Sequence, residues 1–72
     1  MQDEVLVIGL GRIGLPVALV TADSGLVVRG VDASEVSIAS LKDRKAPFEE
    51  PGLSELIEKH AGKNFLPMTW DD

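Results

Sequence analysis

The chain has 72 residues, and a chain this short buries only about 60% of its unfolded surface, so it is one domain at most. Twelve acidic against seven basic residues give a net charge of −5, the wrong sign for a nucleic-acid binder. The absence of cysteine excludes disulfides, thiolate nucleophiles and thiolate-bound metals, and a single histidine excludes a His-rich ligand cluster. No segment approaches the ~20 apolar residues of a membrane span, and the acidic start, residues 1–4, is unlike a signal peptide. We therefore expect a cytoplasmic protein with no membrane partner.

The first half of the sequence predicts a strand, a helix and a second strand. Residues 5–8 form a continuous apolar run rich in β-branched side chains, which is typical of a strand buried on both faces. Apolar residues at helical spacing then predict a helix from Ile13 to about Ser24. Residues 26–31 predict a second strand, in which Gly30 indicates a close backbone approach.

The second half predicts two helices and a third strand. Ser34 is a suitable N-cap for a helix that reaches Leu41. Pro51 is expected to open a further helix, in which the lone His60 is expected to pack or meet solvent rather than act as a base. Residues 65–70 predict a strand at a sheet edge, because Pro67 cannot donate a ladder hydrogen bond.

These elements follow one another in the order β-α-β-α-α-β. Helices long enough to cross over between strands favour a parallel sheet, with the first strand beside the second and the third beyond it. The fold class is therefore α/β, the first half of a Rossmann-type doubly wound parallel sheet with three strands. Residues 1–72 are expected to be a truncated, amino-terminal part of such a domain, without a catalytic domain.

A glycine-rich segment between the first strand and the first helix carries the functional signal. Gly9, Gly11 and Gly14 match the pattern G-x-G-x-x-G, and the second strand ends in Asp32. In dinucleotide-binding folds the first glycine allows a tight turn, the second lets a pyrophosphate approach the backbone, and the third lets the helix pack close to the sheet. The free N–H groups at the start of the helix then hold the phosphates.

The acidic residue after the second strand indicates which dinucleotide is bound. Asp32 would accept hydrogen bonds from the adenosine ribose, and its charge would repel the 2′-phosphate of NADP, so NAD is the favoured cofactor. Arg12 could contact the pyrophosphate or be a solvated side chain. No catalytic residue and no metal ligand is predicted, and the candidate cofactor-binding residues are Gly9, Gly11, Arg12, Ile13, Gly14 and Asp32.

Longer stretches of the sequence resemble the UDP-glucose/GDP-mannose dehydrogenase family, which includes the UDP-N-acetylmannosamine dehydrogenases. The resemblance rests on residues 7–16 (VIGLGRIGLP), residues 30–32 (GVD) and residues 47–53 (PFEEPGL), and it covers nearly the whole chain. Gly-Leu-Pro after the glycine motif and the Glu-Pro-Gly-Leu segment are more specific than the motif itself. The segment from Phe48 onward is expected to have a structural role, with direct cofactor or sugar binding as the alternative.

The resemblance implies an NAD-dependent oxidation of the C6 alcohol of a UDP- or GDP-sugar to a uronate, using two NAD and a cysteine thioester. It also implies a homo-oligomer that binds a nucleotide sugar in its full-length form. This piece has no cysteine and should be inactive alone. Two departures stand out, because the family usually has an aromatic residue where Arg12 stands and often a lysine where Ser37 stands.

Two other functions suit the glycine motif. A 2-hydroxyacid dehydrogenase would also bind NAD through this turn, although in those enzymes an earlier domain usually precedes it. A non-catalytic nucleotide-sensing module would bind NAD without chemistry. Both lack the Glu-Pro-Gly-Leu segment that supports the resemblance.

Overall fold

Three strands and three helices lie within residues 3–72, the part of the chain that the computed structural model describes. Met1 and Gln2, which belong to the acidic start discussed above, lie outside the described residues. No helix within the described range is long and apolar enough to cross a membrane. The elements confirm the predicted order: β1 (Glu4–Ile8), α1 (Gly14–Asp23), β2 (Val27–Val31), α2 (Glu35–Lys42), α3 (Leu53–His60) and β3 (Phe65–Met68).

The strands form one parallel sheet in the order β1-β2-β3, as predicted. Leu6 of β1 lies opposite Arg29 of β2, and Gly30 of β2 lies opposite Pro67 of β3. The proline therefore occupies an edge strand, where its missing N–H does the least harm. Parallel pairing places the ends of β1 and β2 side by side, and this brings the glycine-rich segment next to Asp32.

One hydrophobic core fills the space between the sheet and the helices. All three helices contribute to it, and the sheet contributes Val28 and Phe65. Gly30 is required at the centre of this face, because a Cβ there would lie 2.8 Å from a Leu10 methyl group and 2.9 Å from Cε1 of Phe65. Gly30 is closely approached, but by the side chains of Leu10 and Phe65 and not by a backbone as expected. The fully or nearly buried members are Leu10, Leu15, Ala18, Leu19, Ala22, Val28, Ile38, Leu41, Leu53, Ile57, Ala61 and Phe65.

The expectation that β1 is buried on both faces is wrong. Val5 and Val7 pack against the core, whereas Leu6 and Ile8 are 58% and 65% exposed. Successive side chains of a strand point to opposite faces, and the helices of this chain cover only one of those faces. An apolar strand that is typical of a doubly covered sheet is thus half-exposed here.

Local backbone chemistry sets the limits of the second and third helices. Ser34 caps α2 as predicted, and its Oγ accepts a hydrogen bond from Ser37 N at 3.2 Å. The third helix begins later than expected, at Leu53, because Gly52 has φ +82° and cannot continue a right-handed helix. Pro51 therefore lies in the turn before the helix, and this turn is closed by Leu53 N donating to the Glu50 carbonyl at 3.1 Å.

Three polar side chains, Asp23, His60 and Asn64, form a hydrogen-bonded cluster that connects the amino ends of β2 and β3 to the helices. His60 is 7% exposed, and its Nδ1 and Nε2 lie 2.7 Å from Asn64 Oδ1 and Asp23 Oδ1 respectively. The amide of Asn64 also donates to the carbonyls of Ala22 and Leu26, at 2.8 and 3.0 Å. His60 is thus a packed side chain, and this histidine cluster satisfies every buried polar atom it contains.

Candidate cofactor site

The glycine turn, residues 9–14, gets its shape from its first and last glycines. Gly9 has φ +92°, a conformation that favours glycine, and its N–H donates to the Val31 carbonyl at 2.7 Å. A Cβ on Gly14 would collide with the Gly9 carbonyl oxygen. The start of α1 therefore lies directly against the end of β1, as the spacing of the glycines predicts.

The middle of the glycine turn is open and lined by hydrogen-bond donors. A Cβ on Gly11 would meet no atom within 4 Å, so the backbone is accessible at this point. Among residues 3–72, the backbone N–H groups of Gly11, Arg12, Ile13 and Gly14 have no acceptor. Such donors at the start of a helix, together with the helix dipole, form an anion-binding surface.

Asp32 lies beside the glycine turn, where the parallel pairing of β1 and β2 places it. Its Oδ2 accepts a hydrogen bond from Leu10 N and its Oδ1 from Ser34 N, both at 2.8 Å. These bonds, with that from Leu10 the larger, lower the pKa of the Asp32 carboxyl below its ordinary value of 3.8. Asp32 is therefore an oriented anion, and each of its oxygens keeps a lone pair for a further donor.

Arg12 projects from the glycine turn and meets an aromatic ring. Its guanidinium carbon lies 5.0 Å from the centroid of Phe48, within the range of a cation–π contact. Within the described residues, no carboxylate oxygen lies within 4.0 Å of a guanidinium nitrogen of Arg12, so Arg12 forms no ion pair there. Its charge is consequently not neutralised by the protein.

The structure brings all six predicted site residues to one end of the sheet. Ile13, like the glycines, offers an anion only its backbone N–H, and its apolar side chain is 82% exposed. Two further residues of this end were not among the predicted site residues: Leu10, which donates to Asp32, and Phe48, which contacts Arg12 and belongs to a segment expected to be structural. A backbone donor leaves no trace in side-chain identity, and Phe48 is 36 residues from Arg12, so spacing gave no signal for either.

A groove of about 730 Å³ lies between the α2–α3 loop and α3, and Phe48 is one of its lining residues. Its lining includes four glutamates, Glu49, Glu50, Glu55 and Glu58, against two cations, Arg44 and Lys45. This excess of negative charge opposes the binding of a pyrophosphate. The open backbone of the glycine turn, and not this groove, is the candidate cofactor site.

Comparison with known proteins agrees with this geometry. Residues 3–71 match the model of the UDP-glucose/GDP-mannose dehydrogenase family, NAD binding domain. The chain belongs to this family. Membership of the UDP-glucose/GDP-mannose dehydrogenase family makes NAD the cofactor of the domain and confirms the Rossmann-type half-sheet predicted from the sequence.

Three relatives show how much of a family member this chain represents. It is 46% identical to UDP-glucose 6-dehydrogenase AglM of Haloferax volcanii over 66 residues, which are 92% of this chain and 15% of AglM. The UDP-N-acetyl-mannosamine dehydrogenase Cap5O of Staphylococcus aureus superposes with a TM-score of 0.86 at 34% identity, covering 92% of this chain and 16% of Cap5O. The GDP-mannose dehydrogenase of Pseudomonas aeruginosa gives 0.81 at 30% identity, covering 89% and 15%. The chain therefore spans about one-sixth of the length of these proteins.

Proposed function

We propose that residues 1–72 form the amino-terminal part of the NAD-binding domain of a nucleotide-sugar 6-dehydrogenase. The family match over residues 3–71 supports this proposal, as do relatives named for UDP-glucose, UDP-N-acetyl-mannosamine and GDP-mannose. Family membership favours this function over a 2-hydroxyacid dehydrogenase and over a nucleotide-sensing module. The longer enzyme would oxidise the C6 alcohol of a UDP- or GDP-sugar to a uronate with two NAD.

One observation carries the NAD site. Within residues 3–72, four backbone N–H groups of the glycine turn have no acceptor, and Leu10 of the same turn donates to the Asp32 carboxylate at 2.8 Å. The N–H groups suit a pyrophosphate, and the carboxylate suits the two hydroxyls of the adenosine ribose. A pyrophosphate and a ribose diol are both parts of the ADP half of NAD. The contacts of Gly9, Gly11, Arg12, Ile13, Gly14 and Asp32 with NAD are part of this proposal.

The residues of this chain bind and orient the cofactor, and NAD supplies a hydride acceptor when bound. The 72 residues contain no cysteine, and we assign the thiol chemistry implied by the family resemblance to other parts of the longer enzyme. Recognition of the nucleotide sugar, assembly into a homo-oligomer and a cytoplasmic location remain predictions.

Titration of the 72-residue chain with NAD and NADP by ligand-observed NMR tests the proposed site. We expect the wild-type chain to bind NAD more tightly than NADP, because the Asp32 carboxylate repels a 2′-phosphate. Asp32→Asn keeps the shape of the side chain but removes its charge, so it should weaken NAD binding and reduce the preference over NADP. Asp32→Ala should weaken NAD binding by about tenfold or more, since it removes hydrogen bonds to an ionised group, each worth about 1.5–3 kcal/mol.

The matched control is Asp43→Asn, which changes an exposed carboxylate at the end of α2, away from the glycine turn. It should leave both affinities unchanged. Equal NAD affinities for the wild type, Asp32→Asn and Asp32→Ala would contradict the proposed site. Circular dichroism of each variant verifies that the fold persists.

A further inference from the structure

Phe48 of the α2–α3 loop contacts Arg12 of the glycine turn. Phe48 is partly buried and packs against the hydrophobic core, so its ring is anchored to the body of the fold. Arg12 is exposed and lies over that ring with its guanidinium carbon 5.0 Å from the ring centroid. Contact with the anchored Phe48 ring therefore restricts the exposed Arg12 guanidinium to one region of space.

The cation–π contact with Phe48 leaves the N–H donors of Arg12 available for a ligand. Arg29 directs its Nε to the carboxylate of Glu4 at 2.7 Å, and Arg44 directs its Nε to the Ala61 carbonyl at 3.3 Å. Both of those arginines use donors on the protein. An aromatic face attracts the positive charge of a guanidinium but consumes none of its N–H donors, so Arg12 is oriented without being neutralised.

We propose that Phe48 is a positioning residue that holds the Arg12 guanidinium beside the glycine turn, ready to bind the pyrophosphate of NAD. The inference rests on the proposed function and assigns a part in it to a loop that the sequence marks as structural. The cation then joins the four free N–H groups of the turn, and the bidentate geometry of arginine suits phosphate oxygens. Without the ring, Arg12 must be ordered at the moment of binding, at a cost in side-chain entropy.

The two sides of the contact can be tested in a double-mutant cycle of NAD affinity. Phe48→Leu keeps an apolar side chain on the core but removes the aromatic face, and we expect it to weaken NAD binding about two- to fivefold. Phe48→Tyr keeps the face and should bind as the wild type does. Arg12→Gln should weaken binding more than Phe48→Leu, and it should reduce the salt dependence of the NAD dissociation constant, because one charge contact with phosphate is lost.

The cycle closes with the double variant. In the Arg12→Gln background, Phe48→Leu should have no further effect, since the ring acts through the guanidinium. If Phe48→Leu leaves NAD binding unchanged, or weakens it equally with and without Arg12, the positioning role is wrong and Phe48 serves packing alone. Thermal unfolding of each variant separates a loss of fold from a loss of affinity.

Asp32→Ala, included in the same series, separates this inference from the proposed function. If the wild type binds NAD, Asp32→Ala loses it and Phe48→Leu does not, only the role of Phe48 is overturned. If the wild type shows no NAD binding, or if Asp32→Ala binds as well as the wild type, the proposed site itself is wrong and the role of Phe48 falls with it.

Discussion

Two aspartates at opposite ends of the fold show how differently those ends are built. Asp32 follows β2, and its partners are backbone N–H groups from Leu10 and Ser34. Asp23 ends α1, and its partners are the side chains of His60 and Lys59, at 2.7 and 3.1 Å. Around Asp32 the glycine turn keeps donors free, whereas the histidine cluster around Asp23 is internally bonded. One end is suited to a ligand, and the other holds the structure together.

Within the glycine turn, some glycines should be needed for the stability of the fold and others for NAD binding. Gly14→Ala should give the largest loss of stability, because its Cβ would collide with the Gly9 backbone, which cannot move aside. We expect a loss of about 3 kcal/mol in the free energy of unfolding, measured with urea. In a domain this small, such a loss can abolish folding.

Gly11→Ala is the matched control, since a Cβ at Gly11 meets nothing within 4 Å. It should change the free energy of unfolding by less than about 1 kcal/mol. Its NAD affinity should fall, because the methyl group occupies space that the pyrophosphate needs. Equal stabilities for the two variants would show that Gly14 does not set the shape of the turn.

Mutations in the histidine cluster should lower the free energy of unfolding and leave the NAD affinity unchanged. Asn64→Ala leaves the Leu26 carbonyl and one ring nitrogen of His60 without a partner, and it removes one of two hydrogen bonds to the Ala22 carbonyl, which keeps the one from Gly25 N. We expect a loss of about 2–3 kcal/mol in the free energy of unfolding, in line with the cost of unsatisfied buried groups. The neighbouring exposed Lys63→Ala should cost less than about 0.5 kcal/mol.

NAD titration of the folded fraction of Asn64→Ala sharpens the contrast. Its affinity should match that of the wild type, because the histidine cluster lies at the amino ends of the strands, away from the glycine turn. A large drop in NAD affinity at unchanged stability would show that the histidine cluster serves binding and not stability.

Sequence and structure agree best where backbone conformation dictates the residue. The glycine pattern and the acid after β2 predicted the cofactor end, because a tight turn and a close helix approach admit few other residues at Gly9 and Gly14. Contacts between distant side chains were not predictable in the same way. Asp23 and His60 are 37 residues apart, and only the packing of α1 against α3 brings them together.

The errors at β1 and α3 have separate physical causes. The pattern of β1 indicates burial on two faces, but this chain supplies helices for one face only, so Leu6 and Ile8 stay exposed. Pro51 is compatible with a first helical turn, but the left-handed backbone of Gly52 places the helix start at Leu53. Composition alone does not reveal which sign of φ a glycine adopts.

The smallest expected effect is on stability in acid, and both aspartates contribute to it. The pKa of Asp23 is lowered from its ordinary value of 3.8, first by the hydrogen bond from His60 and then by Lys59. The pKa of Asp32 is lowered by the backbone donors of Leu10 and Ser34. A carboxyl whose pKa is lower in the folded state stabilises the fold above pH 3.8, and this contribution is lost as the pH falls through the lowered folded value.

Urea unfolding between pH 6 and pH 2 measures this loss at each end. Asp23→Asn should flatten the acid limb of the stability curve, and 0.5 M NaCl should reduce the difference from the wild type, because the partners of Asp23 include the exposed, charged Lys59. Asp32→Asn should flatten the acid limb as well but with less dependence on salt, since its partners are uncharged N–H groups. The same salt response in both variants would contradict the distinction between a carboxylate held by side-chain charges and one held by the backbone.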